Sequence, residues 1–207
     1  MNYLLEFNIN TNPKFKIMKM NVFKGALATT IILGLVAFTN TVEKKQVDVK
    51  ESTILWEGEK LTGSHSGTIN LKDGFFLMKD GKLIGGEFTA DMTSIDITNL
   101  EGDSKEKLMG HLRSDDFFGV ETHQTAKFVI TTVAQKGDVY GVSGDLTIKG
   151  NTNPIAFDLT MTENSATTNL TIDRTKYNVR YGSGTFFDNL GDKIIYDEFD
   201  LAINLKF

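Results

Sequence analysis

Residues 195–207, IYDEFDLAINLKF, set the period by which the rest of the chain is read. Ile195, Phe199, Leu201, Ile203, Leu205 and Phe207 fall on one side, and Tyr196, Glu198, Asp200, Asn204 and Lys206 on the other. Such alternation describes a strand with one face in a core and one in water, as in an antiparallel sheet. The period recurs upstream. Ile54 and Trp56 alternate with Leu55 and Glu57. In 61–71, LTGSHSGTINL, residues Leu61, Gly63, His65, Gly67, Ile69 and Leu71 share a face, and the glycines allow strong curvature or close packing. Ile84, Gly86, Phe88, Ala90 and Met92 form another apolar side. Phe128 with Ile130, the run Tyr140 to Ile148, the run Ile155 to Met161, and Leu170 with Ile172 continue the pattern.

Asp73-Gly74, Asp80-Gly81 and Lys136-Gly137-Asp138 read as turns between these strands, and 150–154, GNTNP, as a connection. The reading is an all-β chain of about eight strands with short turns, whose sheet must close on itself or pack on a second to hide its edges. A two-sheet sandwich competes. Long strands with a single alternating face favour an extended eight-stranded antiparallel β-barrel, whose interior is filled by side chains or holds one small ligand.

One segment breaks the period. Residues 108–118, LMGHLRSDDFF, lie in a short helical insert expected around 103–114, with Asp103 as cap and Glu106 in capping-box spacing. Leu108 and Leu112 are four apart and share a helical face. The insert is expected to cap one barrel end. Leu108, Leu112, Phe117 and Phe118 would turn inward, leaving His111, Arg113, Asp115 and Asp116 at the rim.

The front of the chain differs in composition. Ala26 to Phe38, ALATTIILGLVAF, follows Lys19 and Lys24 and has the length of a signal-peptide core, short of the roughly 20 residues a membrane span needs. Residues 1–40 are therefore read as an N-terminal extension and signal peptide, 41–51 as a linker and 52–207 as the folded domain. An uncleaved N-terminal anchor is the alternative. The expected location is periplasmic or secreted. Residues 1–40 hold four lysines and one glutamate, so 18 basic and 26 acidic side chains remain of 22 and 27 in the whole chain. That excess of acid argues against a nucleic-acid partner. The chain has no cysteine, so the core alone must hold the fold.

Catalytic and metal-binding patterns are weak. His65, His111 and His123 have neither HExxH nor HxH spacing, and no metal site is expected. Ser64-His65-Ser66 lacks a nucleophile elbow, and Gly182-Ser183-Gly184 lacks the lysine and helix of a phosphate loop. No catalytic residue is assigned. Fifteen phenylalanines, several on inward faces, leave two readings open: an ordinary packed core, or an apolar tunnel narrowed by glycines.

Five words in order, WEGEKLTGSHSGTINL (56–71), GGEFTADMTSID (85–96), LMGHLRSDDFFGVETHQTAKF (108–128), VSGDLTIKGNTNPIAFDL (142–159) and IDRTKYNVRYGS (172–183), resemble the YceI family of polyisoprenoid-binding, lipocalin-like proteins. The resemblance covers 52–207. Gln124 stands where the family usually has proline, Tyr177 where tryptophan is common, and Asn178 where glycine is. The resemblance implies a lipocalin-like barrel around a long isoprenoid chain, export to the periplasm, and a loose link to stress responses and to membrane-associated quinone or cytochrome systems.

The resulting expectation is a non-enzymatic binder, store or carrier of an isoprenoid lipid, a polyprenyl chain or isoprenoid quinone, with no other cofactor; a homodimer is left open. Trp56, Phe88, Met92, Phe128, Ile148, Phe157 and Ile172 are the expected wall, with Phe117 and Phe118 as lid. At the mouth, His65, Asp116 or Arg174 would meet a head group. Two alternatives stand: a lipid-modifying enzyme using His65 with Asp115 or Asp116, and a structural stress protein whose core is simply packed.

Overall fold

The computed structural model describes residues 41–207. The signal-peptide reading of 1–40 lies outside the described residues. Nine strands form one antiparallel sheet: β1 (Val42–Gln46), β2 (Asp48–Lys60), β3 (Gly63–Lys79), β4 (Lys82–Ile97), β5 (Thr125–Lys136), β6 (Val139–Ile148), β7 (Asn151–Met161), β8 (Ser165–Asp173) and β9 (Ile195–Lys206). Helix α1 (Gly102–Arg113) lies between β4 and β5. Each strand from β2 onward pairs with the next, and β9 returns to β2 with Trp56 opposite Leu201. Eight of the described strands thus close an up-and-down barrel. The closed sheet excludes the sandwich.

Alternation puts the apolar side of each strand inside. In β9 the odd-numbered residues turn inward, and Leu205 is buried while Tyr196, Glu198 and Asp200 are exposed. Asp80 and Gly81 both take positive φ, 51° and 73°, as a two-residue hairpin turn requires. Lys149 and Gly150 repeat this at 50° and 74°, so the connection expected over 150–154 is one tight turn and β7 begins at Asn151. β7 and β8 pair only at Thr160–Thr167 and Met161–Ala166 and then diverge. Pro154, which has no N–H to donate, sits on that diverging stretch.

Several sequence expectations are corrected. Residues 41–51 are no linker: β1 pairs with the end of β3, Val42 opposite Lys79, and β2 begins at Asp48. Val47 breaks the two strands and is buried, its N–H bonded to Gly74 O at 2.9 Å. Asp73-Gly74 is not a turn but lies inside the 17-residue β3, next to a register shift. Ile84 is exposed because a second shift, between Leu77–Gly85 and Met78–Leu83, moves Leu83 to the inside. A bulge adds one residue and so reverses the alternation on one side of it. Leu61 lies in the β2–β3 turn and is exposed. Helix α1 starts after Glu101, not Asp103, and no side chain caps it.

Candidate functional site

The barrel encloses two apolar chambers. The wall of the first belongs almost wholly to the strands. A cavity of about 140 Å³ is lined by Phe76, Phe88, Ala90, Met92, Ala126, Phe128, Val142, Ile148, Phe157, Leu201 and Leu205 among others, with Lys127 and Thr168 its only polar neighbours. Every lining position but Phe118 comes from a strand, so most backbone polar groups are held in the ladder and apolar side chains are left to face the void. Phe76 stacks edge-on against Phe88 at 4.9 Å, and Phe128 lies 5.3 Å from Phe157. Thr168 is satisfied by donating to Asp158 O at 2.7 Å.

The second chamber, about 170 Å³, lies beneath α1. Trp56, Ile95, Leu108, Leu112, Phe117 and Arg174 line it, with His65 on one wall and Glu59, Lys60 and Glu198 at its edge. Ile69, Phe118 and Phe199 border both chambers and divide them, the two rings 6.5 Å apart. The segment after α1 is drawn down by backbone bonds from Phe118 N to Leu112 O (3.2 Å) and Val120 N to Arg113 O (3.0 Å), which bury Phe117 and Phe118. Leu108 and Leu112 also turn inward. Arg113 does not stand free at the rim: its Nη2 donates to Thr93 O at 3.1 Å and Ile95 O at 3.3 Å, pinning the helix to β4.

Trp56 donates its indole N–H to Asp96 O at 3.1 Å. That approach needs Gly67, since a Cβ there would run into the Asp96 carbonyl and the Trp56 ring. Lys105 Nζ lies 2.8 Å from Asp96 Oδ1, and its hydrogen bond holds the Asp96 carboxyl below the ordinary aspartate value.

Arg174 is buried. Its Nε donates to Tyr196 O at 3.0 Å, Nη1 to Val179 O and Tyr181 O at 2.9 Å each, and Nη2 to Ile195 O at 2.9 Å. Asp197 Oδ1 is 3.5 Å from Nη2, a charge contact without hydrogen-bond geometry. Burial lowers the guanidinium's proton affinity, while Asp197 and Asp173 oppose that shift. An arginine with this many carbonyl partners fastens the loop between β8 and β9 and is not free to hold an anion.

Six expected wall and lid residues, Phe88, Met92, Phe118, Phe128, Ile148 and Phe157, line the strand-walled chamber. Trp56, His65 and Phe117 line the second. Ile172 lines neither; it is packed in the core with Trp56 and Tyr177. His65 is not brought together with Asp115 and Asp116, which are exposed and border an outer groove with Lys149 and Arg180. Ile54, Ile69, Leu71, Leu201 and Leu205 were missed as wall, although period two puts them on inward faces; Phe76, five residues after Leu71, is turned inward by the register shift between Leu71 and Asp73. Leu108 turns inward as its helical spacing predicts, while nothing local signals that Ile95 borders a chamber, because α1 creates it.

A YceI-like domain model matches residues 46–207. A UPF0312 protein of Photorhabdus laumondii is 40% identical over 67 residues, 32% of each chain. The chain thus spans about a third of that relative's length in the match. The solved structure of Burkholderia cenocepacia BcnA has a TM-score of 0.60 at 23% identity, covering 77% of this chain and 98% of that one. A polyisoprenoid binding domain from Saccharophagus degradans, implicated in plant cell wall breakdown, gives 0.57 at 16% identity, covering 80% and 99%. These two likenesses concern the fold. The chain belongs to the YceI-like domain family.

Proposed function

We propose that this YceI-like domain binds and stores or carries an isoprenoid lipid, a polyprenyl chain or an isoprenoid quinone, without converting it. The observation that carries the reading is the strand-walled chamber: a void inside the barrel whose wall is almost wholly aliphatic and aromatic. Such a wall offers no group to position a reacting atom, but it takes up a hydrocarbon chain well. Each buried methylene contributes roughly 0.8 kcal/mol, so an isoprenoid tail binds without polar contacts. A branched, unsaturated chain also fits a wall rich in aromatic rings. The polyisoprenoid binding named for the Saccharophagus degradans domain, which shares the fold, supports the same class of ligand.

Neither chamber holds a long chain alone. A void near 150 Å³ takes a ligand of benzene size. A chain spanning both chambers therefore requires Phe118 to swing from between them. The proposal includes action outside the cytoplasm after removal of residues 1–40, in contact with a membrane-associated quinone or cytochrome system, and a role under stress. Organic extracts of protein purified from its native host are expected to contain an isoprenoid by mass spectrometry. Extracts with none above the level of an unrelated exported protein would sink the reading.

A further inference from the structure

His65 carries a buried ring nitrogen for which the described residues supply no partner. Its Nδ1 is shielded from solvent and makes no hydrogen bond, and the residue lines the chamber beneath α1. A buried polar atom left unpaired costs free energy, and a ligand atom that pairs with it recovers that cost. The surrounding charge restricts what that ligand can be. Arg174, the buried cation of this chamber, is committed to four backbone carbonyls. At the edge, Glu59 and Glu198 face a single Lys60. A phosphate or diphosphate entering here would meet two carboxylates, one exposed lysine and no free buried donor of positive charge.

We propose that the chamber beneath α1 is a head-group site for a neutral hydrogen-bonding group, a prenyl alcohol or a quinone carbonyl, with His65 Nδ1 as its partner. The inference rests on the isoprenoid reading above and narrows it: the tail occupies the strand-walled chamber and the uncharged head lies under the helix. An imidazole serves either ligand. Protonated at Nδ1 it donates to a carbonyl, and in the other tautomer it accepts from a hydroxyl. Phosphorylated prenyl chains are disfavoured by the same site.

The chain holds a single tryptophan, Trp56, and it lines this chamber, so its emission reports occupancy there. Delipidated protein is titrated with farnesol, farnesyl diphosphate and the hydrocarbon farnesane. Equilibrium dialysis gives affinity and Trp56 emission gives location. Farnesol is expected to bind about ten-fold more tightly than either of the others and to shift Trp56 emission. His65→Leu is expected to weaken farnesol about ten-fold while leaving farnesane unchanged, and His65→Gln to keep most of the farnesol affinity. Diphosphate binding as tight as farnesol overturns the inference, as does equal loss of farnesol and farnesane in His65→Leu. Farnesol retained by dialysis with unchanged Trp56 emission also overturns it, while leaving the isoprenoid reading intact. If none of the three binds, the isoprenoid reading falls and this inference with it. The comparison of the three probes on the unaltered protein stands even if a His65 variant fails to fold.

Discussion

The two chambers share strands and three lining residues, yet they are built on different physics. Around the strand-walled one the wall is nearly all sheet, and the ladder consumes most of the backbone's polar groups before any side chain turns inward. What faces the void is hydrocarbon. Under α1 the sheet ends, and the loop between β8 and β9 brings carbonyls inward without strand partners. The protein answers with Arg174, which collects two of them, from Val179 and Tyr181, together with the Ile195 and Tyr196 carbonyls at the start of β9. A buried charge beside a cavity is thus a fastening of the fold, while the ligand-directed polar atom is the less conspicuous His65. The strand-walled chamber should respond to changes of volume, and the chamber beneath α1 to changes of polarity.

The sharpest way to break this contrast is Arg174→Leu. The substitution leaves four carbonyls without their donor and is expected to destabilise the protein by about 3–5 kcal/mol in urea unfolding. A loss below about 1 kcal/mol would mean that Arg174 is not the fastening described. On the other side, Ala90→Leu adds three carbons into the strand-walled chamber. At roughly 0.8 kcal/mol per buried methylene it should raise the stability of the unliganded protein by about 1–2 kcal/mol. It should also remove lipid from organic extracts. Destabilisation instead would show that the chamber is already filled by its own side chains, the packed-core alternative.

The smallest effect belongs to the ion pair on the outer side of the helix end. Lys105→Met should cost at most about 0.5 kcal/mol at neutral pH, because both partners are more than a third exposed. The folded-state pKa of Asp96 is lowered, so the pair's contribution is present above the ordinary aspartate value and lost as pH falls through the folded one. Stability of the two proteins measured from neutral to acid pH should therefore converge below the ordinary aspartate range. A gap that persists in acid would assign the loss to the packing of the lysine stem.

Much of the architecture is legible in residue order. Period two placed Phe88, Phe128 and Phe157 inside, and Asp80-Gly81 marked a real hairpin because both residues must take positive φ there. Asn178 stands where the resembling family has glycine, and its φ of 59° supplies the reason: asparagine is among the few other residues that tolerate the left-handed region. The failures have a common origin. Asp73-Gly74 looked like a turn and Ile84 looked inward because a bulge is decided by the neighbouring strand. Ile172 faced inward as expected, but alternation tells which way a side chain points and not whether space lies before it.

The sequence alone determined the strand period, the class of interior, the helical interruption and the aromatic lid, all consequences of local geometry and of where apolar side chains can be buried. Only the tertiary structure decided that the interior is divided in two by Phe118, Phe199 and Ile69. It also decided that Arg174 is spent on carbonyls while Asp115 and Asp116 stand outside, and that His65 is left with an unpaired nitrogen. Those outcomes depend on which backbone groups lose their partners where the barrel closes, and that is settled by residues far apart in the chain.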